Sequence, residues 1–155
     1  MLEIFDWLES TTLARTVGES LWLTASLSAT HLIGFTLVMS GGIVWNLRAS
    51  GLLLGRWPSA AIARPAIRIL GIGLTISLIT GFALFSPRAS YTAPAGVFQL
   101  KMALLLGASI YQFTVHRAVR RIPALNATLL RAIGVIGLLF WISLAVVACW
   151  FILFE

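Results

Sequence analysis

Residues 129–154 read LLRAIGVIGLLFWISLAVVACWFILF, a run with a single charge, Arg131. Roughly 20 apolar residues make a helix long enough to cross the hydrocarbon core of a bilayer. The same pattern recurs three times upstream, from about Leu21 to Leu47, Ile67 to Phe85 and Val97 to Val115. Over the whole chain 59% of residues are hydrophobic and 10% are charged. A soluble domain carries about a quarter charged residues, so this chain cannot cover itself with polar surface in water. The expected fold is therefore all-α, an integral membrane four-helix bundle. No linker is long enough to divide residues 1–155 into two domains.

The breaks between the runs agree with this reading. Pro87 stops the second run. Pro65, Pro94 and Pro123 stand just before the later ones, where proline suits a helix start. The leader is not a cleaved signal peptide by its pattern. It carries Glu3, Asp6, Glu9 and Glu19 with Arg15 as its one base, and the apolar run behind it is too long. Leu2, Phe5, Leu8 and Leu13 recur near helical spacing with Trp7 beside them, which implies a short interfacial helix.

Charge orients the bundle. Arg48, Arg56, Arg64 and Arg68 lie between the first two runs, and Arg117, Arg120, Arg121 and Arg131 between the last two, with no acid among them. The other connection and the ends hold Arg15, Arg88 and Lys101 against all five acids, Glu155 included. Excess Lys and Arg mark the cytoplasmic side, so both termini are expected on the periplasmic face of a bacterial inner membrane. Trp22 and Trp150 then fall near the outer interface and Trp45 and Trp57 near the inner one, as an aromatic belt. The net charge of +6 is spread along these segments, not clustered as a nucleic-acid surface would need, so no nucleic acid is expected.

Within lipid, helices associate through small residues and interhelical hydrogen bonds. Gly73, Ser77 and Gly81 form a small-residue stripe, and Gly34, Gly41, Gly42, Gly134 and Gly137 mark close-contact faces on the first and last runs. Ionisable groups inside a span are costly and are functional candidates by default. Three stand out. His31 shares a face with Thr24, Ser28, Gly34 and Gly42, so it should point inward. Lys101, Leu105, Ala108, Ser109, Gln112 and His116 share one sector of roughly 100° on their helix. His31 lies about 25 Å above Arg48, and Lys101 about 22 Å above His116. These depths separate an outer site, His31 with Lys101, from an inner site, His116 with Arg48.

At the outer site the His31 imidazole suits the iron of a b-type haem. Lys101 is then a second ligand, a propionate partner or a carboxylate anchor. The plainer alternatives are a His31 satisfied by a serine or a backbone carbonyl, and a Lys101 that snorkels to the headgroups. At the inner site His116 with Arg48 suits a propionate or an anionic lipid headgroup, or His116 is simply interfacial. The lone Cys149 has no disulfide partner and reads as a small buried thiol. No intramembrane acid, metal-spaced ligand cluster or nucleophile with a base appears, so no catalytic group can be named.

Several short stretches carry a resemblance. They are Glu19-Ser-Leu-Trp22, Ala29-Thr-His31-Leu-Ile-Gly34, Asn46-Leu-Arg48 with Gly51, and Phe98-Gln-Leu-Lys101-Met102 through His116. Together they resemble an uncharacterised bacterial four-helix membrane family. Ala29, Asn46, Tyr111 and Val115 depart from that pattern, which usually has glutamate, aspartate, asparagine and phenylalanine there. A more distant likeness is to CopD-type copper-resistance membrane proteins and HemJ-type protoporphyrinogen oxidases. It reaches only His31 and Lys101, and HemJ-type proteins are haem-associated. Three functions follow as expectations: a haem b protein for electron transfer or porphyrin handling, a non-catalytic accessory subunit of a larger membrane complex, and, less supported, a copper or small-solute carrier. The bilayer is the expected partner, with other membrane subunits or a homo-oligomer beside it.

Overall fold

The computed structural model describes residues 2–121 and 126–154. It is 90% helix, with no strand among the described residues. Two short helices, α1 (Leu2–Ser10) and α2 (Thr12–Glu19), precede α3 (Leu21–Ser50) and α4 (Ser59–Phe85). A 3-10 turn over Ser86–Arg88 and the single-turn α5 (Ala89–Thr92) lead to α6 (Gly96–Arg121) and α7 (Ala127–Phe154). Three helical segments, Leu21–Ser50, Ala61–Thr92 and Ala127–Phe151, are long and apolar enough to cross a membrane. The fourth long helix, α6, has the length, but Gln99, Lys101, Gln112 and His116 dilute its apolar character.

Packing runs through the glycines. Against α3, the α4 backbone approaches so closely that a Cβ on Gly41 would lie 2.5 Å from the Ala66 carbonyl oxygen. One on Gly73 would lie 2.6 Å from the Gly34 carbonyl oxygen. On the other side of α3, Gly42 receives the Trp141 ring, and Gly134 and Gly137 of α7 lie against Ser50 and Asn46. The core gathers Val38, Leu70, Ala108, Trp141 and Leu144, one or two residues from each long helix. Helix α6 packs mainly on α7 and meets α4 at few points. Gly51 ends α3 with a left-handed φ of 78°, which a glycine adopts without a Cβ penalty.

Three sequence expectations change. Helix α4 starts at Ser59, not near Ile67, so Pro65 lies inside it. There its missing N–H forfeits the bond to the Ala61 carbonyl, and its ring crowds that carbonyl. The early start brings Ala63 and Ala66 against Trp45, and this is also why Trp45 is buried and takes no place in an aromatic belt. Cys149 is exposed, not buried. Trp22, Trp57 and Trp150 remain exposed, as a belt requires. Pro123 and Glu155 lie outside the described residues.

The leader folds as two helices because Thr11 interrupts it. The Thr11 side chain accepts from the Ala14 N–H and so caps α2. Ala14 and Val17 are buried, and Phe5 meets Phe85 edge-to-face at 6.2 Å. The Glu9 carboxylate accepts both the Ser90 N–H, at 2.8 Å, and the Ser90 hydroxyl. Those two bonds, the hydroxyl's foremost, hold the Glu9 carboxyl below its usual value of 4.5. Because the docked carboxylate binds its proton more weakly than the free one, docking gains in full above pH 4.5 and fades as pH falls through the lowered value. Amide protection across residues 3–19, taken relative to the intrinsic exchange rate at each pH, should therefore be high at neutral pH and fall in acid. Glu9→Gln should be weakly protected at both, and equal wild-type protection at the two pH values would contradict the contact.

Candidate functional site

The outer end is built on aromatic rings. Phe85 at the end of α4 stacks on Phe98 of α6 at 5.3 Å, and Phe98 lies 6.0 Å from Phe151 of α7. One turn inward of Phe98, the Lys101 ammonium sits 4.9 Å above the Phe151 ring. Such a contact retains a cation where water is scarce. One turn inward of Phe85, Gly81 lies against the His31 imidazole. Both polar groups thus lie one turn below the same stacked pair.

His31 is half-buried and turned toward α4. Its Nδ1 lies 3.0 Å from the Thr80 hydroxyl oxygen. That hydroxyl has one hydrogen, and it donates it to the Ile76 carbonyl at 2.7 Å. With that hydrogen on the Ile76 carbonyl, Thr80 accepts from Nδ1–H, the tautomer that leaves the lone pair on Nε2. Thr80 is itself buried.

The inner pair is arranged differently. Arg48 Nε–H donates to the Trp57 carbonyl at 2.8 Å, closing the connection after α3. His116 is buried on α6 with Arg120 as its charged neighbour. Of the stripe read from the sequence, Ala108, Ser109, Gln112 and His116 are the buried residues of α6, whereas Lys101 and Leu105 are half-buried.

Between the two levels lies a polar knot that sequence reasoning missed. Asn46 Nδ2 donates to the Gly42 carbonyl and to Gln112 Oε1, both at 2.7 Å. Trp141 Nε1–H donates to the same Gln112 oxygen at 3.1 Å. Three helices thus meet on one buried amide. Asn46 Oδ1, Ser77 Oγ and Ser109 Oγ are buried without a partner among the described residues. The Tyr111 hydroxyl donates to the Ile133 carbonyl at 2.8 Å and ties α6 to α7 a second time. Asn46 and Gln112 had each been noticed by position, but no spacing rule pairs two amides on different helices or finds the indole beside them.

What this geometry offers chemically is one half-buried imidazole held at a threonine hydroxyl, with a cation one turn below the same stacked rings. His31 Nε2 is a neutral donor of the kind iron accepts, and the Nδ1–H bond to Thr80 is the outer-shell support that orients ligating histidines. No cluster of three or more His, Cys, Asp or Glu residues stands among the described residues. No family model, curated protein or solved structure matches this chain.

Proposed function

We propose that the chain is a small membrane protein of four spans, α3, α4, α6 and α7, in a bacterial inner membrane, and that it binds one b-type haem through His31. The orientation of His31 carries the reading. Nδ1 faces the Thr80 hydroxyl, and where that hydroxyl donates to the Ile76 carbonyl, Nδ1 carries the hydrogen and Nε2 keeps its lone pair. Lys101 is the propionate partner at the same level. Bound haem supplies a one-electron iron couple, which suits electron transfer or porphyrin handling. The fourth span follows from the polar face of α6, which is buried among the other helices, so its apolar residues are left for lipid. The eight inner arginines give both termini a periplasmic position.

Protein purified after expression with ample haem should show a Soret band, and His31→Ala should lack it. Thr80→Val removes the acceptor that orients the ring and should weaken haem binding about 10- to 100-fold while leaving the fold intact. A wild-type protein without a Soret band would sink this function. Tag accessibility that places either terminus in the cytoplasm would sink the topology alone.

A second reading, an accessory subunit of a larger membrane complex, is favoured by the open flank where α6 meets α4 at few points. Isolation from native membranes as a lone protein would count against it.

A further inference from the structure

Among the described residues the arginines that follow α3 and end α6 have no carboxylate at their own end of the helices. The acids described, Glu3, Asp6, Glu9 and Glu19, lie in α1 and α2 at the opposite end. Two of the arginines flank a groove of about 440 Å³ on α6, lined by Thr114, Arg117, Ala118 and Arg121. Their spacing puts them on one stripe of the helix. Continued outward, that stripe passes through Ile110 and Leu106, which are 58% and 63% exposed. The order along the helix is therefore apolar, hydroxyl, guanidinium, which matches the acyl chain, glycerol region and phosphate of a phospholipid. A soluble phosphate would have no use for the apolar part. The helix C-terminus opposes an anion with about half a negative charge, but two full guanidinium charges outweigh it. Guanidinium forks suit phosphate oxygens, and basic sites beside cytoplasmic helix ends recognise anionic headgroups.

We propose that this stripe holds one anionic phospholipid, its phosphodiester between Arg117 and Arg121 and an acyl chain along Ile110 and Leu106. The site rests on the reading of α6 as a span with its Arg121 end inside. The test is native mass spectrometry of the full chain released from nanodiscs of phosphatidylglycerol and phosphatidylcholine in equal parts. Wild type should retain phosphatidylglycerol over phosphatidylcholine about tenfold, because the choline cation of the second lipid is repelled by the two guanidinium groups that hold its phosphodiester. Arg117→Gln with Arg121→Gln should abolish the preference, whereas Arg56→Gln with Arg64→Gln should keep it. Unfolding followed by tryptophan fluorescence should match wild type for both pairs. Equal retention of the two lipids by wild type, equal loss in both double variants, or displacement of the lipid by millimolar inorganic phosphate would each overturn the site. Nanodiscs expose both leaflets, so the lipid preference reads independently of sidedness. A tag assay placing the Arg121 end outside would instead remove the span orientation on which the inner-leaflet position rests.

Discussion

Gly134→Ala should destabilise the protein by about 2–3 kcal/mol, the upper range for overpacking a close contact. An added Cβ would meet the Ser50 amide nitrogen of α3, with the Asn46 carbonyl oxygen at 2.7 Å. These are backbone atoms, so no side chain can rotate away, and α3 and α7 must separate. Separation also loosens Gly137 from Asn46 and Gly42 from Trp141, because all three contacts lie on one interface. Gly71→Ala is the control. Nothing lies within 4 Å of its added Cβ, and alanine is the better helix former by about 1 kcal/mol. Unfolding titrations in mild detergent should show a large loss for the first variant and none for the second. Equal effects would mean that α3 and α7 do not meet as described.

Gln112→Leu should cost about 2 kcal/mol and loosen three helices at once. The variant keeps roughly the side-chain size but removes the oxygen that accepts from both Asn46 Nδ2 and Trp141 Nε1. Asn46 retains its bond to the Gly42 carbonyl, whereas the buried indole N–H is left with no acceptor. A buried donor without an acceptor costs about 1–3 kcal/mol, while a single interhelical side-chain bond within a membrane averages about 0.6. The shared acceptor puts Gln112 above that average. Adding Trp141→Phe removes the stranded indole donor, so the double variant should lose less than the sum of the two single ones. Strict additivity would break the knot as drawn.

Much of the helical layout was legible from apolar runs and prolines, because a lipid-facing segment must satisfy its own backbone and does so as a helix. The buried stripe of α6 was legible too, since period 3.6 places Ala108, Ser109, Gln112 and His116 on one face whatever the neighbours are. The glycines were readable as contact faces, though not with their partners. Pro65 misled, because a proline that suits a helix start can also lie within a helix whose earlier turns are held by packing, here Ala63 and Ala66 against Trp45. Trp45 misled for a related reason. An indole near a helix end belongs equally to an interface or to a gap between alanines, and Ala63 and Ala66 decide which.

The sequence by itself determined that this is a helical, lipid-suited chain in which eight arginines fall in two segments free of acids, and that His31, Lys101 and His116 are its ionisable interior groups. Those properties follow from local chemistry and helical period. Only the tertiary structure decided that His31 Nδ1 meets the Thr80 hydroxyl, that Lys101 rests on Phe151, that Arg48 turns to the Trp57 carbonyl, and that Asn46, Gln112 and Trp141 share one oxygen. Each of these contacts except that of Arg48 joins two helices, and Arg48 reaches across a turn. Their geometry depends on the register and rotation of the packed helices, which no single segment encodes.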